Sequence, residues 1–272
     1  MINLEKMVEK YRDAGYSERN ADARVCQDIV LKAIEQSNLG RNVTIKGGVV
    51  MRSITGNVRR ATEDLDLDFI RYSLEDDSIR YFISKLNCLD EIKIEIKGNK
   101  IEQLSQQEYS GKRVYIVIKD NDDNSIESKI DLGVHTNMKI EQEAYCFDVC
   151  MDDEGASLLI NSCEQIFAEK LRSLLRFGPL STRYKDIFDL CYLKDHINMS
   201  KLVECIKVYI INEPTMRETD MNSVRKRVAI TFSNRQFIKN VENSGDRNWL
   251  QIDVGIAFKM ILEFLETVNL KK

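Results

Sequence analysis

The segment DLDLDF, residues 64–69, alternates acidic and apolar side chains over six consecutive positions. Because the side chains of a β-strand point alternately to opposite faces, this pattern predicts a strand whose leucine and phenylalanine side chains face the core. The three carboxylates of Asp64, Asp66 and Asp68 then share the opposite face. Side chains two residues apart on a strand have Cα atoms roughly 6–7 Å apart, so their carboxylates can converge on one cation.

A glycine turn lies upstream of this strand. The segment NVTIKGG, residues 42–48, is typical of a short strand that ends in a turn, and VVMRSIT is typical of a helix that leaves it. Exposed backbone N–H groups at such a turn bind phosphate oxygens. Positive charge is close by in the sequence, on Lys46, Arg52, Arg59 and Arg60. Together the turn and the acidic strand predict a site for phosphate and metal.

An isolated Asp-x-Asp segment is often only the solvent-exposed face of a strand and binds no metal. Two carboxylates about 4 Å apart repel by a few kcal/mol at an effective dielectric constant near 20, so water or cations must neutralise them. A further acid, Asp131, lies on the polar face of a second predicted strand, residues 126–132, and would lie close if the two strands pair in antiparallel orientation. Mg²⁺ prefers carboxylate oxygens, whereas softer metals prefer the His or Cys ligands that this region lacks.

Composition excludes several classes of protein. The chain has 272 residues, a formal net charge of −4 and a pI of about 5.5, so any polynucleotide contact must come from a local basic patch. Seven cysteines without a C-x-x-C pair, and only two histidines, exclude a structural zinc motif. Reduced, mostly buried thiols and a charged N-terminus favour a cytoplasmic protein, and no apolar run is long enough to cross a membrane.

The periodicity of the sequence changes near residues 155–160. Strand-like segments and a few helices precede this point, whereas the pattern that follows is helical to the end, beginning with SCEQIFAEKLRSLLRFG. We therefore predict an α+β protein with an N-terminal domain over residues 1–158 and an all-helical C-terminal domain over residues 159–272.

Four segments, in order, resemble motifs of a known family. KGGVVMRSITGNVRRATEDLDLDF resembles the first motif of the AbiEii/AbiGii toxin nucleotidyltransferases, which belong to the DNA polymerase β-like superfamily. SKIDLGV resembles the second motif, and FAEKLRSLLRFGPLSTRYKDIFDL resembles the third and fourth. The resemblance extends from about residue 41 to about residue 195. It implies a polymerase β-like core with a mixed sheet, followed by the helical domain.

The resemblance also implies a role for each matching residue. It implies one or two Mg²⁺ ions bound by the carboxylates of Asp64, Asp66 and Asp131. These acids would act in catalysis with Lys170 and Asp186. The residues that would bind the nucleotide are Lys46, Gly47, Gly48, Arg52, Arg60, Thr62, Arg183 and Lys185. Asp68 is then a spare acid. The implied reaction transfers a nucleoside monophosphate from an NTP to an acceptor hydroxyl, with tRNA or another RNA as acceptor and an antitoxin protein as partner.

One position departs from the family pattern. Superfamily members often have Ser or Thr after the glycine pair, whereas this chain has Val49. A hydroxyl contact to the triphosphate would then be missing, so backbone amides and basic residues would have to bind it.

The helical half allows structural explanations beside the functional ones. Lys170, Arg172 and Arg176 border an apolar stripe and are equally typical of a solvated helix face, and Asp189 could be a surface acid. The run RKR at 225–227 is typical of a solvated face, although with an RNA acceptor it would join Arg172 and Arg176 in a phosphate-contacting surface.

Two further functions stay open at this point. The acceptor could be a small molecule, as in aminoglycoside nucleotidyltransferases. The protein could instead be a catalytically inactive nucleotide-binding or interaction module, for which Val49 is the best support.

Overall fold

The computed structural model describes residues 2–104 and 111–270. The chain divides into two compact units, Met1–Asn161 and Ser162–Lys272. In the first unit, the strands are β1 Val43–Lys46, β2 Leu65–Phe69, β3 Ile92–Leu104, β4 Gly111–Asp120, β5 Ser125–Val134, β6 Glu143–Phe147 and β7 Ala156–Ile160. They form one mixed sheet in the order β3-β4-β5-β2-β1-β7-β6.

The helices of the first unit are α1 Leu4–Asp13, α2 Glu18–Gln36, α3 Gly47–Thr55 and α4 Asp76–Lys85. Those of the second unit are α5 Cys163–Phe177, α6 Tyr184–Leu193, α7 Met199–Ile206, α8 Met221–Phe232, α9 Arg235–Glu242 and α10 Val254–Thr267. A π-helical turn, Lys207–Ile211, follows α7. The predicted architecture, a mixed sheet with helices followed by a helical C-terminal half, is confirmed.

β2 occupies the centre of the sheet, between β1 and β5. Its apolar face is buried as the alternation predicts, because Leu65, Leu67 and Phe69 are almost fully excluded from solvent. Helix α2 packs against β5 and β7. Its segment from Val25 to Ile34 is buried throughout, which explains why apolar residues surround that part of the helix.

The antiparallel orientation, on which the predicted closeness of Asp131 was conditional, does not occur. β5 pairs with β2 in parallel and not in antiparallel orientation. Two parallel neighbouring strands need a long connection between them. Here α4 and the β3–β4 hairpin connect β2 to β5 and bring the chain back to the end of the sheet at which β2 begins. Strand β7 and helices α1, α8 and α9 were not predicted, because they are short or their apolar spacing is irregular.

The structure can be compared with the predictions about membrane-spanning segments and about the cysteines. None of the described helices is long and apolar enough to cross a membrane. All seven cysteines are free thiols. The expectation that most of them are buried is wrong, since Cys88 and Cys146 are exposed and only three are buried, namely Cys26, Cys191 and Cys205.

A buried polar cluster on α2 supports the segment that enters β2. The Asp28 carboxylate accepts hydrogen bonds from the Tyr11 hydroxyl and from the Cys150 N–H, and it forms an ion pair of 3.1 Å with Arg24 Nε. Burial raises the pKa of Asp28. The preceding residue, Gln27, donates from Nε2 to the Thr62 carbonyl at 2.9 Å, which fixes the backbone just before the acidic strand.

Asp120 anchors the N-terminus of α1 to the β4–β5 turn. Its Oδ2 accepts from the Leu4 N–H at 2.9 Å, and its Oδ1 accepts from the N–H groups of Asp122 and Asn124 at 3.0 Å. Burial by itself raises the pKa of Asp120, but these hydrogen bonds outweigh burial and lower it. The ionised carboxylate therefore stabilises the folded state.

We expect Asp120→Ala to lower the free energy of unfolding by about 2 kcal/mol at pH 7, because three backbone donors lose their acceptor. A group with a lowered folded pKa stabilises the protein above its unfolded pKa, about 3.9 for Asp, and this contribution is lost as the pH falls through the folded pKa. The difference from wild type should therefore be full at pH 7 and shrink below about pH 4. Urea unfolding followed by circular dichroism measures it. Asp13→Ala, at an exposed position of α1, is the control. An equal loss of stability in both variants would contradict the anchoring role.

Candidate functional site

A row of charged side chains crosses four neighbouring strands of the sheet. Lys46 of β1 lies in register with Asp66 of β2, and Asp66 lies in register with Asp131 of β5. Asp131 in turn lies in register with Arg113 of β4. The row therefore reads base, acid, acid, base across the sheet. Neighbouring strands are about 4.8 Å apart, so each side chain is close to the next. We call the carboxylates of Asp64, Asp66, Asp68 and Asp131 the acidic face.

Basic side chains from other strands pair with members of the acidic face. Arg113 forms a bidentate ion pair with Asp131, from Nε to Oδ1 at 2.7 Å and from Nη2 to Oδ2 at 2.8 Å. Lys129 Nζ lies 2.8 Å from Asp64 Oδ1. These cations offset the repulsion expected between neighbouring carboxylates.

A third ion pair explains a glycine in β5. Lys46 Nζ lies 2.5 Å from Asp68 Oδ1, and Asp68 lies in register with Gly133. A Cβ at Gly133 would collide with Asp68 Oδ1 and would lie 3.3 Å from Lys46 Nζ. The ion pair therefore occupies the space above this glycine. Asp68, the spare acid in the motif, has a structural partner.

The glycine turn at the start of α3 touches the acidic face. Gly47 has φ +65°, and a Cβ there would collide with Asp66 Oδ2. A Cβ at Gly48 would collide with the Thr62 hydroxyl and lie 2.8 Å from Thr62 Cβ. Both positions require glycine because β2 and the segment before it approach the turn so closely. A phosphate bound at this turn would lie beside the Asp66 carboxylate.

The acidic face has the chemistry of a site for a hard divalent cation. Mg²⁺ is commonly bound by one or two carboxylates together with substrate phosphates, and Asp64 and Asp66 fit this donor set. Among residues 2–104 and 111–270, no group of three or more His, Cys, Asp or Glu side chains is arranged to hold a metal ion. Both oxygens of Asp131 are bound by Arg113, so a role for Asp131 as a metal ligand stays a prediction.

Other residues predicted to bind nucleotide lie away from solvent. Arg52 is only 2% exposed, and its Nη1 lies 4.0 Å from Asp28 Oδ1 in the buried cluster of α2. Arg60 is buried as well. Val49 is fully buried, so its side chain belongs to the core and a phosphate at this position would contact the backbone N–H. Of the cations near the turn, Lys46 is partly exposed.

The second unit contains a separate cluster of charges. Lys170 Nζ lies 2.5 Å from Asp186 Oδ1 and 2.8 Å from Asp189 Oδ2. Asp189 Oδ1 accepts a hydrogen bond of 2.9 Å from the Trp249 indole, and Asp186 Oδ2 accepts one of 2.6 Å from Arg183 Nε. Burial of Asp186 opposes its ionisation, but the charges of Lys170 and Arg183 outweigh burial and lower its pKa.

This cluster shows that the charged residues of α5 and α6 do not form the solvated surface that was one interpretation of the sequence. Asp189 is fully buried, so it is not a surface acid, and Lys170 is buried and does not belong to a solvated helix face. Arg183 is mostly exposed and Lys185 is half-buried. Contacts of Lys170, Arg183, Lys185 and Asp186 with a nucleotide stay predictions.

The run 225–227 is largely structural. Arg225 Nε donates to the Leu265 carbonyl at 2.9 Å, and Arg227 Nε donates to the Leu175 carbonyl at 3.3 Å. These bonds tie α8 to the ends of α10 and α5, so neither arginine belongs to a simple solvated face. Arg172 is buried, which removes it from the expected phosphate-contacting surface.

Sequence reasoning missed three residues that contact the predicted site residues. Arg113 was overlooked, although counting back from the turn between β4 and β5 places it opposite Asp131, since the Asp120 N–H is bonded to the Asn124 carbonyl at that turn. Gln27 and Trp249 gave no local signal, because their partners are distant in the sequence.

One comparison with known proteins, the match to a family model, agrees with the motifs. A family model described as "Nucleotidyl transferase AbiEii toxin, Type IV TA system" matches residues 29–253. No curated protein matches the chain. Among solved structures, an antigenic nucleotidyltransferase-like protein from Paracoccidioides brasiliensis is similar, with 14% identity and a TM-score of 0.45. The similarity covers 78% of this chain and 91% of that one.

The packing of Gly133 against the Lys46–Asp68 ion pair can be tested by a double-mutant cycle. We expect Gly133→Ala to be destabilising in the wild-type background, because the new methyl group displaces the Asp68 carboxylate. In the Asp68→Ala background the same change should cost less, giving a coupling energy of about 1 kcal/mol or more. Chemical unfolding of the four proteins measures it. Additive losses would mean that Gly133 and Asp68 do not meet.

The buried lysine of the second unit gives a further test. We expect Lys170→Met to lower the free energy of unfolding by about 3–5 kcal/mol, because two buried carboxylates lose their cation. Fluorescence of Trp249, the only tryptophan, reports the change directly through its bond to Asp189. Lys226→Met, at an exposed position of α8, is the matched control. A Lys170→Met protein as stable as this control would show that the cluster is not a structural support.

Proposed function

This chain belongs to the AbiEii family of nucleotidyltransferase toxins, and from that premise we propose that it transfers a nucleoside monophosphate from an NTP to an acceptor hydroxyl. The family is assigned to type IV toxin–antitoxin systems, so we propose a cognate antitoxin as its partner. The observation that best supports this chemistry is the contact between the glycine turn and Asp66, because it brings a phosphate-binding backbone and a carboxylate together.

The glycine turn would bind the triphosphate through the first N–H groups of α3. These groups lack partners within the helix and carry the positive end of its dipole. Gly47 and Gly48 allow close approach of the phosphates, and Lys46 adds a cationic side chain at the same place. With Val49 in the core, the backbone supplies the contact that a hydroxyl would otherwise make.

The acidic face would hold Mg²⁺ through Asp64 and Asp66, joined by Asp131. When bound, this ion supplies positive charge that offsets the phosphate charge and favours ionisation of the acceptor hydroxyl. Asp131, on the strand next to Asp66, would orient the acceptor hydroxyl and help to remove its proton. The hydroxyl oxygen would bond to the α-phosphorus of the NTP, and pyrophosphate would leave. Arg113 and Lys129 limit the repulsion between these acids while no substrate is present.

An RNA, such as tRNA, is the acceptor that we propose. The toxin role of the family supports a cellular target of this kind, and a small hydroxylated compound is the alternative. Since the chain is acidic overall, contact with RNA must rest on local positive charge. Arg176 and Lys226 are exposed in the second unit, whereas Arg172 is buried.

Label transfer from each α-³²P-labelled NTP tests the reaction. We expect the wild-type protein to label total RNA in the presence of Mg²⁺, and the double variant Asp64→Asn/Asp66→Asn to lose at least about 100-fold in rate, because both carboxylates of the proposed ion site are neutralised. The double variant Asp77→Asn/Asp153→Asn, which neutralises two exposed acids, is the matched control and should keep the rate.

Three outcomes would contradict this proposal in whole or in part. Equal label transfer by wild type and Asp64→Asn/Asp66→Asn would show that the acidic face is not the catalytic site. Label that appears on small hydroxylated compounds but not on RNA would keep the chemistry and reject the RNA acceptor. If neither the protein nor its variants turn over any NTP, and both are equally harmless when expressed, the chain is an inactive module.

A further inference from the structure

Arg113 pairs with the acidic face, and neither the motifs nor the family description provides a role for it. Its guanidinium binds both oxygens of Asp131 through Nε and Nη2, at 2.7 and 2.8 Å. A bidentate pair of this kind fixes the orientation of the carboxylate as well as neutralising it. Asp131 is therefore held in one orientation beside Asp66.

The influence of Arg113 extends beyond its direct partner. Its charge also interacts with Asp64, which already contacts Lys129. Asp131 lies in register with Asp66, so a single strand, β5, separates the strand of Arg113 from that of Asp66. Arg113 thus acts on the same carboxylates that would bind a divalent cation.

A divalent ion at Asp131 would bind the same carboxylate that the Arg113 guanidinium binds. The acidic face contains four carboxylates, and the basic side chains that pair with it include those of Lys46, Arg113 and Lys129. A divalent ion that binds Asp131 must either displace the guanidinium from one of the two oxygens or use a remaining lone pair beside that positive charge, and in both cases Arg113 opposes its binding. The Arg113 side chain is 26% exposed, so it has access to solvent into which it can move.

We propose that Arg113 is a positioning residue and an internal counter-ion, which competes with the divalent cation for Asp131 and so sets the cation affinity of the acidic face. This inference rests on the proposed function, because it takes the acidic face as the ion site. Arg113 keeps the acids neutralised and oriented before substrate arrives, and it releases Asp131 only when an ion takes its place.

Binding of Mn²⁺ to the full-length protein, measured by electron paramagnetic resonance of the free ion, tests the competition. We expect Arg113→Gln to bind Mn²⁺ on the order of tenfold more tightly than wild type, because one positive charge near the ion is removed. Arg113→Lys keeps the charge but loses the bidentate geometry, so its affinity should lie between the two. Arg80→Gln, an arginine of α4 that donates to Asn99, is the control and should match wild type.

A second measurement separates positioning from simple support of the fold. In the transfer assay, Arg113→Gln should reach half of its maximal rate at a lower Mg²⁺ concentration than wild type, whereas its maximal rate should fall because Asp131 is no longer oriented. A variant that is merely less stable would lose rate without this shift in Mg²⁺ dependence.

Asp66→Asn distinguishes the failure of this inference from that of the proposed function. Mn²⁺ binding that Asp66→Asn removes, but that Arg113→Gln leaves within twofold of wild type, would overturn the counter-ion role alone. Mn²⁺ binding that Asp66→Asn leaves unchanged would place the ion elsewhere and overturn both. Weaker binding in Arg113→Gln than in wild type would also reject the competition.

Discussion

Charge balance across four strands is the constraint on which the N-terminal unit depends. Two acids, Asp66 and Asp131, lie side by side at the centre of a sheet, and they are tolerable there because Lys46 and Arg113 occupy the strands on either side. The pairing of strands is thus also a pairing of charges. A shift of one residue in any of these strands would move a charge to the apolar face, so burial and electrostatics select the same register.

The glycines of the site follow from that register. At Gly47, Gly48 and Gly133 the space that a Cβ would need is occupied by Asp66, Thr62 and Asp68 respectively. Only the first has a backbone conformation that by itself favours glycine. The other two are glycines because a neighbouring polar side chain lies against the backbone. A motif that looks like a phosphate-binding signature is therefore also a packing requirement of the acidic strand.

Local patterns predicted local structure well. The alternation of residues 64–69 gave β2, and the apolar stripe of α5 gave that helix, because each pattern depends on one burial face. Partners distant in the chain were harder to predict. The parallel pairing of β2 with β5 depends on an intervening hairpin, and the roles of Arg225 and Arg227 depend on carbonyls about 40 to 50 residues away. A basic run in the sequence does not show whether its side chains face water or backbone.

The two charge clusters differ in a way that bears on function. The cations of the acidic face are partly exposed, at 23% for Lys46, 26% for Arg113 and 32% for Lys129. Ion pairs with access to water contribute little to stability and exchange partners readily. The pairs of Lys170 are buried, and opening them would leave uncompensated charge in the interior. A divalent cation that arrives with the substrate can therefore replace basic side chains at the acidic face at low cost, whereas a Lys170 that turned to a phosphate would leave two buried carboxylates without their cation. Loss of activity on substitution of Lys170 is thus evidence for catalysis only when the fold of the second unit is shown to be intact.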